Sequence, residues 1–186
     1  RNPDYFEKGY PYLNEYRILS TPDAATRMAA FRAGQSDILG LQSLADVATV
    51  RRTNPTAVVQ EVTTVLAPFG LTLRQDKPPF NDVRVRRALS MAIDRQKQVD
   101  TLFEGHAILG WGIPYFYFQD DLPTAADLGP YWQYRPGEAK KLLAEAGYPN
   151  GFKTTLFYYE YFPQMTSQIQ LVQQDLKRNL NIEVEI

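Results

Sequence analysis

The residue types that carry enzyme chemistry are scarce in this chain of 186 residues. It has one histidine, His106, and no cysteine, which excludes histidine dyads, thiolate chemistry and cysteine-ligated metal sites. The motifs GxxxxGK[ST], GxGxxG and GxSxG do not occur. Acidic pairs such as Asp120–Asp121 and Glu183/Glu185 are expected by chance among 21 acidic residues. The sequence therefore predicts no catalysis, no tightly bound metal and no cofactor, with His106 an ordinary polar loop residue.

Aromatic side chains are the more informative group. They make up 13% of the chain, with twelve tyrosines, and Tyr and Trp suit wet clefts because each joins apolar area to a polar group. The alternative is that these rings belong to an ordinary core and surface. Strand ends and the loops beside them are where α/β folds build ligand clefts. One aromatic set follows such a path, from a predicted strand into a long loop: Phe69, Trp111, Tyr115, Phe116, Tyr117 and Phe118.

The stretch from Lys77 to Gln96 is the structural centre of the sequence. Pro78-Pro79 fixes an extended approach, and Asn81 or Asp82 supplies a side-chain oxygen that caps a helix. Asp94 is placed to cap a second helix that runs to Gly105. The first helix carries one apolar stripe at helical spacing, made by Val85, Ala88, Leu89 and Ala92.

Basic residues cluster at Arg84–Arg87 in this stretch, and Arg84, Arg87 and Arg95 lie off the apolar stripe. Lys and Arg number 20 against 21 acidic residues, a formal net charge of −1. This balance favours a helix flank paired with nearby acids over a nucleic-acid patch. No apolar run approaches the roughly 18 residues that span a bilayer. The sequence therefore predicts neither a nucleic-acid partner nor a membrane span.

The alternation of helical and strand patterns predicts an α/β fold, a single domain over residues 1–186 in which helices flank a mixed sheet. Residues 105–136 have no clear period and are expected to form a long ordered loop. The predicted helices are Thr21–Ala33, Ser43–Thr53, Asp82–Ile93, Glu138–Ala146 and Pro163–Leu180. The predicted strands are Tyr12–Leu19, Ser36–Leu39, Val58–Leu66, Phe69–Leu73, Phe152–Tyr159 and Ile182–Ile186. The side chains expected to be buried are Val85, Leu89, Leu142, Val172 and Leu176.

Two segments resemble one protein family. Residues 78–95, PPFNDVRVRRALSMAIDR, resemble the signature P-P-F-[ND]-D-V-R-V-R-x-A-L-x-x-A-I-D-R of the family 5 extracellular solute-binding proteins. Residues 136–152, PGEAKKLLAEAGYPNGF, resemble a second motif of the same family. Arg135 and Gly137 depart from it, because the family has Asp or Asn at the helix cap and Glu two residues later. These departures are expected to weaken that helix start by about 1 kcal/mol.

The resemblance implies a function and a setting. The family supplies the oligopeptide- and dipeptide-binding components of ABC importers, which have a type II periplasmic-binding-protein fold and close on ligand by hinge motion. It implies that the chain is an excised second lobe of a periplasmic or extracellular protein, with a lipoprotein anchor as a further option. The implied partners are a peptide and an ABC permease. It places Phe69, Trp111 and Tyr115 at the ligand cleft. Gln42, in the loop after the predicted strand that contains Asp37, is a weaker candidate. The alternatives are a sensor or interaction domain of the same fold and, less favoured, a peptide hydrolase.

The absence of a nucleophile–base constellation gives a first prediction. The purified protein is expected to show no peptidase activity on short peptides, measured by release of free amino groups. Cleavage that disappears when a single acidic residue is replaced by its amide would contradict this reading.

Overall fold

The computed structural model describes residues 2–41, 43–61, 70–107, 126–160 and 164–186. The chain divides into two compact units, Arg1–Val59 and Gln60–Ile186. The larger unit carries most of the buried side chains and both of the segments that resemble family motifs.

The described residues of the smaller unit form two helices, and among them Val50 is the buried hydrophobic side chain. Helix α1 (Ala24–Arg32) begins after Asp23, whose carboxylate accepts a hydrogen bond from the Thr26 N–H at 2.7 Å. Helix α2 (Leu44–Thr53) begins after Ser43, whose hydroxyl accepts from the Asp46 N–H at 3.1 Å. Ser43 therefore caps α2 as expected, but the Asp46 carboxylate accepts from the Ser43 hydroxyl at 2.7 Å, a side-chain contact that differs from the reciprocal backbone bond of a capping box. Helix α1 starts later than expected because Asp23 caps it.

Helix α3 (Val83–Ala92) lies at the centre of the larger unit and packs against α5 (Pro136–Glu145) and α6 (Met165–Leu180). Its stripe faces inward: Val85, Ala88 and Ala92 are fully buried. The two alanines allow close approach of the neighbouring helices, since their side chains end at Cβ. The remaining core side chains are Leu89, Met91, Ile93, Ala139, Leu143, Val172, Leu176, Leu180, Ile182 and Val184. Of the five side chains expected to be buried, four are buried and Leu142 is partly buried against the same core.

The helix boundaries follow the local capping chemistry. Asp82 caps α3 by accepting from the Arg84 N–H at 2.7 Å, and Asp94 caps α4 (Arg95–Leu102) by accepting from the Lys97 N–H at 3.0 Å. Helix α5 begins at Pro136 without a side-chain cap on its backbone. The helix therefore starts two residues before the predicted Glu138, and the weakening expected from Arg135 and Gly137 stays a prediction.

Strand β1 (Lys153–Thr155) and strand β2 (Glu183–Glu185) form a parallel pair with Lys153 opposite Glu183, and α6 lies between them in sequence. Among the described residues this is the whole sheet. The strand predictions at 12–19 and 36–39 are wrong: these residues form no strand, although they include exposed apolar side chains such as Tyr12, Ile18 and Ile38. Residues 58–61 and 70–73 also form no strand. Strand assignment requires backbone pairing with a neighbour, which an alternating pattern alone does not supply.

Gly151 lies against the end of α6. Asn181 terminates the helix with φ 54°, and its N–H donates to the Lys177 carbonyl at 3.0 Å while the Ile182 N–H donates to the Leu176 carbonyl at 3.2 Å. This is the left-handed helix end expected for Asn at that position. A Cβ on Gly151 would lie 2.2 Å from the Asn181 carbonyl oxygen, and Gly151 itself has φ +75°. The site therefore admits glycine alone.

Polar groups of α6 hold the corner between α3 and α4. The Asp175 carboxylate, 3% exposed, accepts from the Asp94 N–H at 2.9 Å and from the Arg178 guanidinium at 2.7 Å. Asn179 donates to the Ala92 carbonyl at 2.8 Å and to the Tyr134 hydroxyl at 3.1 Å. The Ala92 carbonyl and the Asp94 N–H, at the end of α3, therefore form hydrogen bonds with side chains of α6.

Replacing Gly151 tests the packing at the end of α6. Gly151→Ala is expected to lower the free energy of unfolding by about 2–4 kcal/mol, because the new Cβ clashes with the backbone and the residue keeps a positive φ. The matched control is Gly137→Ala on α5, where a Cβ meets nothing within 4 Å. That control is expected to gain up to about 1 kcal/mol from helix propensity. Equal urea midpoints for the two variants would contradict the geometry.

Replacing Asp175 tests the corner. Asp175→Ala removes the acceptor of the Asp94 N–H and the partner of Arg178, and a loss of about 2 kcal/mol is expected in chemical denaturation. Asp100→Ala on α4 is the control, since Asp100 is exposed and accepts one hydrogen bond from Gln96. It is expected to change stability by no more than about 0.5 kcal/mol. A cost for Asp175→Ala no larger than for the control would show that the buried carboxylate does not hold the corner.

Candidate functional site

The four residues predicted to contact ligand lie outside the described residues. Gln42 stands alone between described segments, Phe69 ends the segment 62–69, and Trp111 and Tyr115 belong to 108–125. Their assignment stays a prediction. The described residues that flank these segments show how the adjoining chain is held.

The corner between α3 and α4 carries a stacked guanidinium. Arg95, the first residue of α4, lies with Cζ 4.4 Å from the centroid of the Trp132 ring. Its two terminal nitrogens donate to the Ser90 carbonyl at 2.7 Å and to the Ser90 hydroxyl at 2.8 Å. Burial lowers the pKa of Arg95 to about 10, because desolvation disfavours its charged form. At neutral pH the side chain remains a cation held by a ring and two oxygens.

A second guanidinium stacks beside the first. Arg87 of α3 lies with Cζ 4.4 Å from the centroid of the Tyr131 ring. Tyr131 and Trp132 are consecutive residues of a 3-10 turn, Pro130–Trp132, and each takes one arginine. The chain is tied back to α3 just after this turn, because the Arg135 N–H donates to the Met91 carbonyl at 2.9 Å.

The arginines of this region do not share one role. Arg84 pairs with Asp82 at 2.6 Å, as expected for a helix flank. Arg86 donates to the Phe80 and Asn81 carbonyls. Within the part of the chain that the structure describes, Arg87 and Arg95 form no ion pair and stack on aromatic rings instead. The expectation that the cluster pairs with nearby acids is therefore confirmed for Arg84 alone.

The single histidine has a carboxylate partner. His106 Nδ1 lies 3.0 Å from Glu61 Oε1, and both side chains are exposed. Glu61 directly precedes the segment 62–69, and His106 lies two residues before the segment 108–125. The pair therefore joins the starts of the two segments that carry Phe69, Trp111 and Tyr115.

The remaining charged cluster is on the sheet. Glu183 accepts from Lys177 at 2.8 Å and from Lys153 at 3.0 Å. These two hydrogen-bonded ammonium groups lower the pKa of Glu183 to about 2.

Across the described ranges, no three metal-ligating side chains come together. None of the helices in those ranges has the length and apolar composition of a membrane span.

Sequence reasoning missed the stacking of Arg87 and Arg95 on Tyr131 and Trp132. A signal was present, since two adjacent aromatic residues follow Gly129-Pro130. Sequence separation hid it: the rings lie 44 and 37 positions beyond the arginines that they meet. Arginine is equally at home beside a carboxylate or over a ring.

Proteins similar to this chain include two that are named for the solutes they bind. Heme-binding protein A of Haemophilus influenzae is 32% identical over 150 residues, which cover 79% of this chain and 26% of that protein. Glutathione-binding protein GsiB of Escherichia coli is 28% identical over 172 residues, covering 92% of this chain and 32% of that protein. The chain thus spans about a quarter to a third of the length of these relatives.

A solved structure of a periplasmic binding protein is also similar to this chain in three dimensions. The ABC transporter-associated periplasmic binding protein DppA from Helicobacter pylori, in complex with the peptide STSA, matches with a TM-score of 0.65 and 29% identity. The match covers 90% of this chain and 31% of that one. The helices and small sheet described here are therefore part of a type II periplasmic-binding-protein fold. The family model for bacterial extracellular solute-binding proteins, family 5 Middle, matches residues 1–186, and the chain belongs to that family.

Proposed function

We propose that the protein carrying this chain is a peptide receptor of an ABC import system, and that this chain forms part of the wall that encloses the peptide. The observation that carries the proposal is the likeness to DppA, which was solved with a bound tetrapeptide. GsiB is named for glutathione, itself a tripeptide, so two of the similar proteins take short peptides.

The chemistry of the predicted contact residues supports a peptide ligand. Phe69, Trp111 and Tyr115 provide flat apolar area at a low cost in side-chain entropy, and the phenol and indole add polar groups for peptide amides. Gln42 adds an amide with donors and an acceptor. Such a wall accepts varied side chains because rings contribute area without demanding one partner shape.

The proposed setting follows from the same family. The protein lies outside the cytoplasmic membrane, either in the periplasm or held at the surface by a lipid anchor, and hands its peptide to a permease after hinge closure. A sensor of the same fold would bind the same peptides without the permease. Co-purification of the permease with the peptide-loaded protein is the outcome that separates transport from sensing.

Heme is the second candidate ligand, because the relative at 32% identity is named for it. Heme iron in proteins is held by axial ligands such as His, Cys, Met or Tyr. This chain has one histidine, which faces Glu61, and no cysteine. Its twelve tyrosines and three methionines are possible axial ligands as well, so the side-chain inventory does not decide between the two ligands. The peptide is favoured by the likeness to DppA and GsiB.

Calorimetric titration of the full natural protein tests the proposal with three probes: the tetrapeptide STSA, glutathione and heme. A peptide probe is expected to saturate at one site, and Trp111→Ala or Tyr115→Ala is expected to lower its affinity at least tenfold. Phe157→Ala is the matched control, because Phe157 is an aromatic residue with 92% exposure outside the predicted wall. Saturation by heme alone would replace the peptide with the second candidate, and no binding of any probe would refute both.

The isolated chain supplies a further arm of the same experiment. A receptor that encloses its ligand takes contacts from more than one wall, so losing a wall removes a large share of the buried area. At about 25 cal/mol per Å² of apolar burial this amounts to several kcal/mol, or about 10³-fold in affinity. The 186 residues alone are therefore expected to bind STSA in the millimolar range or more weakly. Micromolar binding by this chain would place the whole site within it.

A further inference from the structure

The turn between α5 and β1 contains the pair Asn150-Gly151, and asparagine is followed by glycine nowhere else in the chain. This pair of residue types is especially prone to deamidation, because glycine has no Cβ to hinder attack by its own backbone nitrogen on the preceding amide. Asn150 is exposed, so water reaches its side chain. Sequence and exposure together make Asn150 a candidate site of covalent modification.

Deamidation of such a pair proceeds through a cyclic succinimide. The Gly151 nitrogen loses its proton and bonds to Cγ of Asn150, while the Cγ–Nδ2 bond breaks and Nδ2 leaves as ammonia. Water then opens the succinimide. Addition at Cγ gives aspartate, whereas addition at the main-chain carbonyl gives isoaspartate, whose backbone runs through Cβ and Cγ and is longer by a methylene group.

The folded turn holds the attacking nitrogen away from this reaction. The Gly151 N–H donates to the Tyr148 carbonyl at 3.1 Å, which closes a turn with Pro149 in second place. Asn150 does not have a positive φ, so the turn is not type II, and it has the proline and glycine positions favoured in type I. The nitrogen must give up this hydrogen bond before it can lose its proton and approach Cγ of Asn150.

The end of α6 holds both members of the pair. The Asn181 Nδ2 donates to the Asn150 carbonyl oxygen at 2.6 Å. A Cβ on Gly151 would lie 2.2 Å from the Asn181 carbonyl oxygen and 2.7 Å from the Leu180 carbonyl oxygen. A backbone lengthened by a methylene group cannot keep both contacts, because this close packing leaves no space for the added atoms.

We propose that Asn150-Gly151 is a deamidation site controlled by the end of α6: the pair reacts when the turn opens, and the isoaspartyl product prevents the turn from closing again. The contacts that block the reaction are the same contacts that the product disrupts. An opening that ends in reaction is therefore recorded as a permanent change in the backbone. The inference does not depend on the ligand, since neither residue belongs to the predicted peptide wall.

Incubation of the full natural protein in mildly alkaline buffer tests the protection. Deamidation at Asn150 is measured by peptide mapping with mass spectrometry, and isoaspartate is separated from aspartate by chromatography. The folded protein is expected to react at least about tenfold more slowly than the same protein unfolded in urea, because only the opened fraction reacts. Equal rates in the two states would overturn the inference.

Asn181→Gly tests whether α6 exerts the control. Glycine suits the left-handed helix end but lacks the amide that donates to the Asn150 carbonyl. Under conditions where each variant remains folded by circular dichroism, deamidation is expected to be at least about threefold faster than in the parent. Asn81→Gly, the same replacement at an exposed residue before α3, is the matched control and is expected to match the parent. An Asn181→Gly rate equal to that of the control would show that α6 does not control the site. Should Asn181→Gly fail to fold, the comparison of folded and unfolded parent still decides whether the fold protects Asn150.

Asn150→Asp separates the change in backbone length from the change in charge. This variant has the charge of the products on a normal backbone, and its urea midpoint is expected to equal that of the parent. The isoaspartyl form, obtained by incubating the unfolded protein and then refolding it, is expected to have a lower urea midpoint than Asn150→Asp. Equal midpoints for these two forms would show that the turn accepts the longer backbone and would overturn the inference.

Discussion

The packing of α3 against α5 and α6 is the contact on which the larger unit depends. Val85, Ala88 and Ala92 of α3 are completely withdrawn from water, and the core side chains of α5 and α6 converge on this stripe. Apolar burial of this kind is the main favourable term in folding and has no preferred direction. It brings the three helices together, but it does not by itself fix where each helix ends or how the chain leaves it.

Polar contacts supply that direction. Asp175 and Asn179, two side chains on one face of α6, bind the backbone at the place where α3 ends and α4 begins. Because these contacts involve groups that the helices leave unpaired, displacement of the corner would expose several unsatisfied donors and acceptors at once. The apolar core and the polar corner therefore have separate roles, since the core holds the helices together and the corner sets the geometry of the chain that emerges from them.

The arginines show how similar residues acquire different roles. Arg84, Arg87 and Arg95 all lie off the apolar stripe, yet one meets a carboxylate and two meet rings. The difference lies in their neighbours: Asp82 is two residues from Arg84, whereas Tyr131 and Trp132 reach Arg87 and Arg95 through tertiary structure. The guanidinium is suited to both partners because it is planar, permanently charged and weakly hydrated.

The helices of this protein could be predicted from the sequence because their signals are local. Caps at Ser43, Asp82 and Asp94, the stripe on α3 and the left-handed Asn181 each depend on residues within a few positions, and the family motifs lie on these same helices. The strands expected at 12–19 and 36–39 could not be decided locally, because a strand exists only with a hydrogen-bonded neighbour. Ligand contact at Phe69, Trp111 and Tyr115 came from family resemblance, and Gln42 came from its place in the loop after a predicted strand. All four stay predictions. The contacts of Arg87 with Tyr131 and of Arg95 with Trp132 could not be predicted in this way. Arginine has several suitable partners, and the folded chain determines which of them lies within reach.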